Sequence, residues 1–357
     1  MVHAEFVHIT DYRNIESIHL EPAPVGVTAI TGANGQGKSS IIEAISYALS
    51  GRSFRNARKE SMVRKGCEQA VVRIGLAVGD RQVLVELAMR KGSSDNLLLN
   101  HNAAARSEVA RLAPLTIFTP GDIEIIAGPP AERRDFVDSA LTVMGPRAAE
   151  AVEKYDALLR HRTSILRQIA ATNSSSLAEM LEVFDEQLAD AGERLARMRL
   201  SLLGRIEPVL SHLYAGISGK SDKVSLSYSS TWGQDLRGAM TRSRGEDLRR
   251  GSTSVGPHRD DVAFSLNGLD ARYEASQGEQ RTLAFALKMG LHEMVRDRVG
   301  EDPIVLLDDV FSELDRSRSD KVLATANVAQ VIVTTSIGDR LDERVGLKLE
   351  VSGGALL

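Results

Sequence analysis

The sequence predicts an α/β fold: a P-loop core sheet, an antiparallel β-layer beside it, and an inserted α-helical domain. Three observations predict it. Gly32-Ala33-Asn34-Gly35-Gln36-Gly37-Lys38-Ser39 stands between an apolar strand-like run, Val25 to Ile30, and a helix-like run, Ser40 to Leu49. Ile304-Val305-Leu306-Leu307-Asp308-Asp309 is apolar until it ends in two acids. Buried parallel strands read this way, and α/β sheets bind ligands at the edge where such strands end. Between these segments, from Asp122 to Ile217, the apolar residues take a helical period.

Taken in order, Phe6 to Ile9 and Ile18 to Leu20 read as strands around the turn Asp11-Tyr12-Arg13-Asn14. The segment from Gly32 to Ser39 fits the pattern Gly, four residues, Gly-Lys-Ser, in the strand–loop–helix context that pattern requires. Its glycines let the backbone turn tightly, so that successive N–H groups converge on phosphate oxygens at a helix N-terminus. On this reading Gly32, Ala33, Asn34, Gly35, Gln36, Gly37 and Ser40 line the phosphates of a nucleotide. Lys38 reaches the β/γ-phosphates, and Ser39, with Asp308 acting through water, holds Mg²⁺.

Val71 to Val78, Gln82 to Ala88 and Asn96 to Asn100 alternate or run apolar between Gly-Asp and Gly-Ser-Ser turns, which makes the antiparallel layer. Leu181, Leu188, Leu195 and Leu202 recur every seven residues, with Phe184, Ala191 and Met198 between them. Val152, Tyr155, Leu159, Leu166 and Ile169 share one face of a preceding helix, and 171–176 reads as the turn between the two. A helical hairpin packed within one domain accounts for this pattern; a short dimerising coiled coil is the alternative. Val224 to Ser230 reads as a further strand, and the Arg-rich 237–250 as a mobile loop or a solvated helix face. The core domain is expected over 1–120 and 225–357, with the helical insertion over 121–224.

Composition narrows the function classes. A chain of 357 residues with 43% hydrophobic content and few aromatics suits a globular protein with aliphatic cores. No run approaches the roughly 20 apolar residues of a membrane helix, and no signal-peptide pattern opens the chain. A transporter subunit carrying its own membrane domain is therefore excluded. Cys67 is the single cysteine, so an internal disulfide is impossible and a reducing cytoplasm is expected. The scattered histidines form no zinc pattern. A net charge of −4 argues against strong indiscriminate DNA binding by a monomer. Any nucleic-acid surface must be a local patch or one assembled by two subunits.

Ser276-Gln277-Gly278-Glu279-Gln280 resembles the signature loop of ABC-type ATPases, and it follows the phosphate loop by roughly 240 residues. A large helical insertion accounts for that separation. In such heads the place of Asp309 is usually held by a Glu that polarises the attacking water. Over its whole length the chain resembles the RecF family of bacterial recombination-mediator ATPases. The resemblance is carried by Tyr12-Arg13-Asn14, by Gly51-Arg52-Ser53-Phe54-Arg55, and by Pro120-Gly121-Asp122 with Gly128-Pro129-Pro130-Ala131-Glu132-Arg133-Arg134-Asp135-Phe136-Val137-Asp138. It continues in Ser254-Val255-Gly256-Pro257-His258-Arg259-Asp260-Asp261 and in Leu307-Asp308-Asp309-Val310-Phe311-Ser312-Glu313-Leu314-Asp315. The stretches beginning at Gly128 and at Ser254 are specific to that family rather than to ABC proteins at large.

The resemblance implies an ATP- and Mg²⁺-binding head that forms an ATP-dependent homodimer. Ser276, Gln277, Gly278 and Glu279 would then face the nucleotide held by the opposite subunit. It further implies slow ATP hydrolysis with Lys38 and Asp309 catalytic, and duplex DNA bound near single-strand gaps. RecR-like and RecO-like mediator proteins of the RecA pathway are the implied partners. Arg13 is a candidate phosphate contact, and Arg52, Arg55, Arg58 and Lys59 form a candidate DNA loop. Arg133, Arg134 and Asp138 are expected to tie the insertion to the core by ion pairs, and His258 to support the fold. Asp315 is expected in a loop that crosses the dimer interface. Two departures stand out: no Gln follows Pro120 as in a Q-loop, and Thr334-Thr335-Ser336 stands where transporters carry a switch histidine. The remaining alternative is an ATP-driven switch whose ligand is a protein.

Overall fold

The computed structural model describes residues 2–172, 175–310, 320–321, 330–336 and 345–357. Asp315 lies outside the described residues. The chain divides into two compact units. One joins Met1–Asp122, Gly216–Gly219 and Lys288–Leu357; the other joins Ile123–Ala215 and Lys220–Leu287.

The first unit begins with β1 (Val2–Tyr12), β2 (Ile15–Leu20), β3 (Gly26–Thr31), α1 (Lys38–Ser50), α2 (Lys59–Met62), β4 (Gln69–Val78), β5 (Arg81–Arg90), β6 (Asn96–Leu99), β7 (Asn102–Ala103), α3 (Arg106–Leu112) and β8 (Leu115–Phe118). An antiparallel sheet of order β2-β1-β4-β5-β6-β7 forms the expected β-layer. Arg13 and Asn14 make its first hairpin turn, with Asp11 at φ 52° and Arg13 at φ 50°.

The second sheet is completed late in the chain by β12 (Ile304–Asp308), β13 (Gln330–Thr335), β14 (Val345–Ser352) and β15 (Ala355–Leu356), whose labels follow the elements of the other unit. Its order is β15-β14-β3-β13-β12-β8, parallel except for β15. Every residue of β12 and β13 is buried, as continuous apolar runs dictate in a sheet covered on both faces. Helix α1 supplies part of that cover. Its Ile41, Ile42, Ala44, Ile45, Ala48 and Leu49 share one core with Val7 and Ile9 of β1, Ile74 of β4, Leu306 of β12 and Ile332 of β13. Lys38, Ser40, Glu43 and Ser46 of α1 are buried as well, so the helix is covered on its polar side too.

The second unit contains α4 (Glu124–Ala127), α5 (Pro130–Met144), α6 (Pro146–Thr172), α7 (Ser175–Ser218), β9 (Val224–Ser229), α8 (Leu236–Arg250), β10 (Asp261–Leu266), β11 (Leu269–Asp270), α9 (Ala271–Glu274) and the first half of α10 (Gln277–Val299). The heptad leucines of α7 are buried, but so are Ala189, Ala196, Arg199, Leu203 and Ile206. The buried face is therefore wider than an a/d seam, and a single chain covers it. At the hairpin end, Ile165 and Leu166 of α6 meet Leu181 of α7, with Leu248 of α8 against them. The stripe thus serves a hairpin within one chain. The Arg-rich 237–250 proves to be helix α8, half-buried through Leu236, Ala239, Met240 and Asp247. Residues 225–287 join this unit, not the first, because α5 packs on β10 and α6 on α8.

Candidate functional site

The phosphate loop leaves β3 at Thr31 and enters α1 at Lys38. Gly32, Gly35 and Gly37 take φ of 145°, 81° and 108°, conformations that side chains resist. Space demands glycine as well: a Cβ on Gly32 would stand 2.3 Å from the Val351 carbonyl oxygen. The loop is braced from two sides. Asn14 of the hairpin turn donates from Nδ2 to the Gly35 carbonyl (3.4 Å), and the Ser40 hydroxyl donates to Asn14 Oδ1 (3.1 Å). Gly353 N donates to Gln36 Oε1 (2.5 Å) and Gly354 N to the Gln36 carbonyl (3.0 Å), so the β14–β15 turn closes the other flank. Ala33, Asn34 and Gly35 remain exposed, whereas Ser39 is half-buried.

Lys38 is buried and donates to the loop carbonyls of Gly32 (2.7 Å) and Ala33 (2.8 Å). Burial lowers its pKa, and the charges of Asp309 and Asp308 oppose that shift. Both acids are thus in electrostatic reach of the lysine although some 270 residues separate them in sequence. The strand order explains the approach: β13 lies between β3 and β12, so loop and acids emerge on one edge roughly 10 Å apart. Thr334 of β13 orders the pair. Its hydroxyl donates to Asp308 Oδ1 (2.7 Å) and accepts from Asp309 N (3.0 Å). Asp309 has φ 49°, a conformation that costs a non-glycine residue free energy and aims its carboxylate off the strand line. A buried cation, a glycine-rich loop at a helix N-terminus and two carboxyl groups at one edge fit a nucleoside triphosphate with a hard divalent cation.

Arg13 is engaged with α1. It makes a bidentate pair with the fully buried Glu43, through Nε to Oε2 and through Nη2 to Oε1 (2.7 Å), and Ser53 Oγ donates to the same carboxylate (2.6 Å). A nucleotide phosphate must compete with that pair for the guanidinium. In the basic loop Arg52, Arg55 and Arg58 are exposed, while Lys59 pairs with Asp95 (2.7 Å). After Pro120, where no glutamine stands, Asp122 accepts from Thr119 N (2.6 Å) and from Lys288 Nζ.

The signature residues lie in the second unit. Ser276 precedes α10 and makes a reciprocal capping box with Glu279. Ser276 N (3.0 Å) and its hydroxyl (2.8 Å) donate to Glu279 Oε2, and Gln280 N donates to the Ser276 carbonyl (2.9 Å). Gln280 is buried and donates to the carbonyls of Ala271 and Arg272, which fixes α9 against the helix start.

Residues 4–345 match the family described as RecF/RecN/SMC N terminal domain. The "DNA replication and repair protein RecF" of Frankia alni is 35% identical over 381 residues, spanning 100% of this chain and 99% of its own. That of Heliobacterium modesticaldum is 34% identical, covering 95% of this chain and 94% of its own. The chain belongs to the RecF family. A solved structure of the recombination mediator protein RecF-ATP in the RecFOR pathway superposes with a TM-score of 0.92 at 30% identity, covering 100% of this chain and 97% of that one. The Smc head domain with an extended coiled coil from Pyrococcus furiosus shares the fold, with a TM-score of 0.60 at 17% identity over 100% of this chain and 95% of that one. The fold is thus the RecF and SMC ATPase head. No helix among the described residues is long and apolar enough to cross a membrane.

The two family-specific stretches meet in the second unit. Arg133 forms a bidentate pair with Asp261 (2.7 and 3.0 Å), and Arg134 donates to the Asp260 carbonyl (2.8 Å). Asp138 receives both arms of Arg199 (2.8 and 2.7 Å), whose third nitrogen donates to the Pro257 carbonyl (2.7 Å). Asp260 accepts from Tyr228 and from Trp232 Nε1 (2.9 Å). His258 Nε2 donates to the Thr253 carbonyl (3.0 Å), which leaves Nδ1 to accept from the Tyr155 hydroxyl (2.7 Å). Burial pushes His258 down to about 4, so this neutral tautomer persists at working pH. His258 thus supports the fold, whereas Arg133 and Arg134, expected to tie the insertion to the core, find their partners Asp261 and Asp260 within their own unit. Sequence reasoning missed Arg199, Trp232 and the Gly353-Gly354 turn, and it named Thr334 without the bridge that its hydroxyl makes. Of these, only the arginine within the leucine stripe of α7 left a local signal.

Proposed function

We propose that this protein is an ATP-dependent DNA-binding ATPase of recombinational repair. ATP binds on the phosphate loop with Mg²⁺ held by Ser39 and, through water, by Asp308. Asp309 orients the attacking water, and Lys38 neutralises charge on the transferring phosphoryl group. The signature loop of a second copy closes on the γ-phosphate, so ATP sandwiches two subunits and dimerisation follows nucleotide by mass action. The closed dimer clamps duplex DNA near single-strand gaps and, with RecR-like and RecO-like partners, helps load the recombinase in the bacterial cytoplasm. Slow hydrolysis, stimulated by DNA, releases the clamp.

The observation that carries this reading is the meeting of Lys38, Asp308 and Asp309 at one edge of the parallel sheet. Relatives named for DNA replication and repair, and a RecF-ATP structure of the RecFOR pathway, support the repair context. Sedimentation with and without Mg·ATP tests the sandwich. Wild type should pass from monomer to dimer, and Ser276→Arg should stay monomeric while still binding ATP, because a bulky cation blocks closure. A normal ATP-dependent dimer of Ser276→Arg would refute it. ATPase rate with and without gapped duplex tests the DNA-linked half.

A further inference from the structure

The signature loop carries a negative charge where phosphate is to land. Glu279 sits in the first turn of α10, and its Oε2 takes both the amide and the hydroxyl proton of Ser276. The hydroxyl that is to meet a phosphate is therefore pointed at a carboxylate. Hydrogen bonds from Lys220 and then Ser276 hold Glu279 down to about 2, so it is ionised at any working pH. An uncompensated carboxylate there would cancel the attraction of a helix N-terminus for anions. The compensating group is Lys220, whose Nζ donates to Glu279 Oε1 at 2.9 Å. Lys220 follows α7 after one residue, Gly219, which turns the chain at φ 70°. One ammonium therefore neutralises the carboxylate and fixes its orientation, leaving the other oxygen for the serine.

We propose that Lys220 is a positioning residue of the signature loop, setting that loop's affinity for the triphosphate by holding and neutralising Glu279. The proposal rests on the ATP-sandwich reading for its ligand. Lys220 is half-exposed, so the pair is screened by solvent and its effect is modest at each site, but a dimer contains two such sites.

The test is a double-mutant cycle on Mg·ATP-dependent dimerisation, read by sedimentation at low and high salt. Lys220→Met should raise the dimer dissociation constant by about 2- to 30-fold, more at low salt, and Lys220→Arg should restore it. In a Glu279→Gln background, where no charge awaits compensation, the same Lys220→Met change should have little further effect. No change on Lys220→Met, or an equal loss in both backgrounds, overturns the proposal. Amide exchange at Ser276 in the nucleotide-free monomer separates it from the sandwich reading. Lys220→Met should speed that exchange in wild type but not in Glu279→Gln. If wild type fails to dimerise with ATP, the sandwich falls; if Ser276 exchange ignores Lys220, the positioning role falls with or without it.

Discussion

Replacing Arg162 with methionine should unfold the second unit more readily than any other single charge removal in its helices. Arg162 of α6 is fully buried and binds three partners. Its Nε donates to Asp185 Oδ1 of α7 (2.6 Å), and its Nη1 donates to Asp247 Oδ2 of α8 (2.7 Å) and to Thr253 Oγ1 (2.9 Å). Methionine keeps the aliphatic stem and deletes the charge. Asp247, also fully buried, would keep only the amide (2.9 Å) and hydroxyl (2.6 Å) of Ser254. Removing one partner of a buried pair costs about 3–5 kcal/mol, chiefly because the other charge stays buried. With a urea dependence of about 2 kcal/mol per molar, the midpoint should fall by roughly 1.5–2.5 M. Trp232 is the only tryptophan and donates to Asp260, so its fluorescence reports this unit. The control is Arg244→Met. Arg244 binds the other oxygen of Asp185 (2.8 Å) with its side chain 31% exposed, so its loss should cost about 1 kcal/mol or less. An Arg162→Met midpoint within about 0.3 M of wild type, or an equal loss from Arg244→Met, would refute the argument from burial.

Three further outcomes follow from the same structure. Lys38→Met should weaken ATP binding by about tenfold or more, whereas Asp309→Asn should keep affinity and lower steady-state hydrolysis by about 10²-fold; equilibrium binding and ATPase assays check the pair. Arg52→Glu with Arg55→Glu should weaken duplex binding and flatten its log–log salt slope by roughly 2, with ATP-driven dimerisation intact, as anisotropy over a salt series would show. For His258, the folded value of about 4 lies below the unfolded value of about 6.5, so the unfolded state binds the extra proton between them. Its contribution is complete above about pH 6.5 and is lost as pH falls toward 4. His258→Gln should therefore reduce the pH dependence of the Trp232-monitored midpoint between pH 5 and 6.5 by up to about 1.4 kcal/mol per pH unit.

The parts of the site legible in sequence are those whose chemistry is contiguous. Gly32 to Ser39 is one turn of backbone, and Ile304 to Asp309 is one strand with its end, so both carry their meaning in local order. What stayed hidden depends on pairings between distant segments. Nothing near Thr334 says that its hydroxyl will bridge Asp308 and the Asp309 amide, since that contact exists only through the parallel register of β12 and β13. Nor does Gly353-Gly354 announce that its amides will close on Gln36. The expected boundary at 224 rested on the end of the helical period and the strand-like run from Val224. The unit instead extends to Leu287, because β9–β11 and α8 complete the surroundings of α5, α6 and α7.

The charged stretches show why motif specificity need not mean ligand contact. Residues 251–260 form little regular structure, only a short 3-10 turn at Pro257–Arg259, so most of their backbone polar groups have no ladder to join. Buried carbonyls must nonetheless find donors. Arg134 reaches the Asp260 carbonyl (2.8 Å) and Arg199 that of Pro257 (2.7 Å), and before α5 Arg133 does the same for the Gly128 carbonyl (2.8 Å). An aliphatic residue in their place would remove those donors, leaving the Pro257 carbonyl only the Asp260 amide (3.3 Å). Arginine fits because its rigid fork can donate to a carboxylate and a carbonyl at once, as Arg133 and Arg199 do. The aspartates, Asp261 and Asp138, then orient the fork rather than add much net stability, since a buried ion pair roughly repays its own desolvation. What the arrangement specifies is one path for the chain into β10 and on through α9 to Ser276. On the proposed ATP-sandwich reading, a serine that is to meet a phosphate within hydrogen-bond tolerance requires that path to be unique.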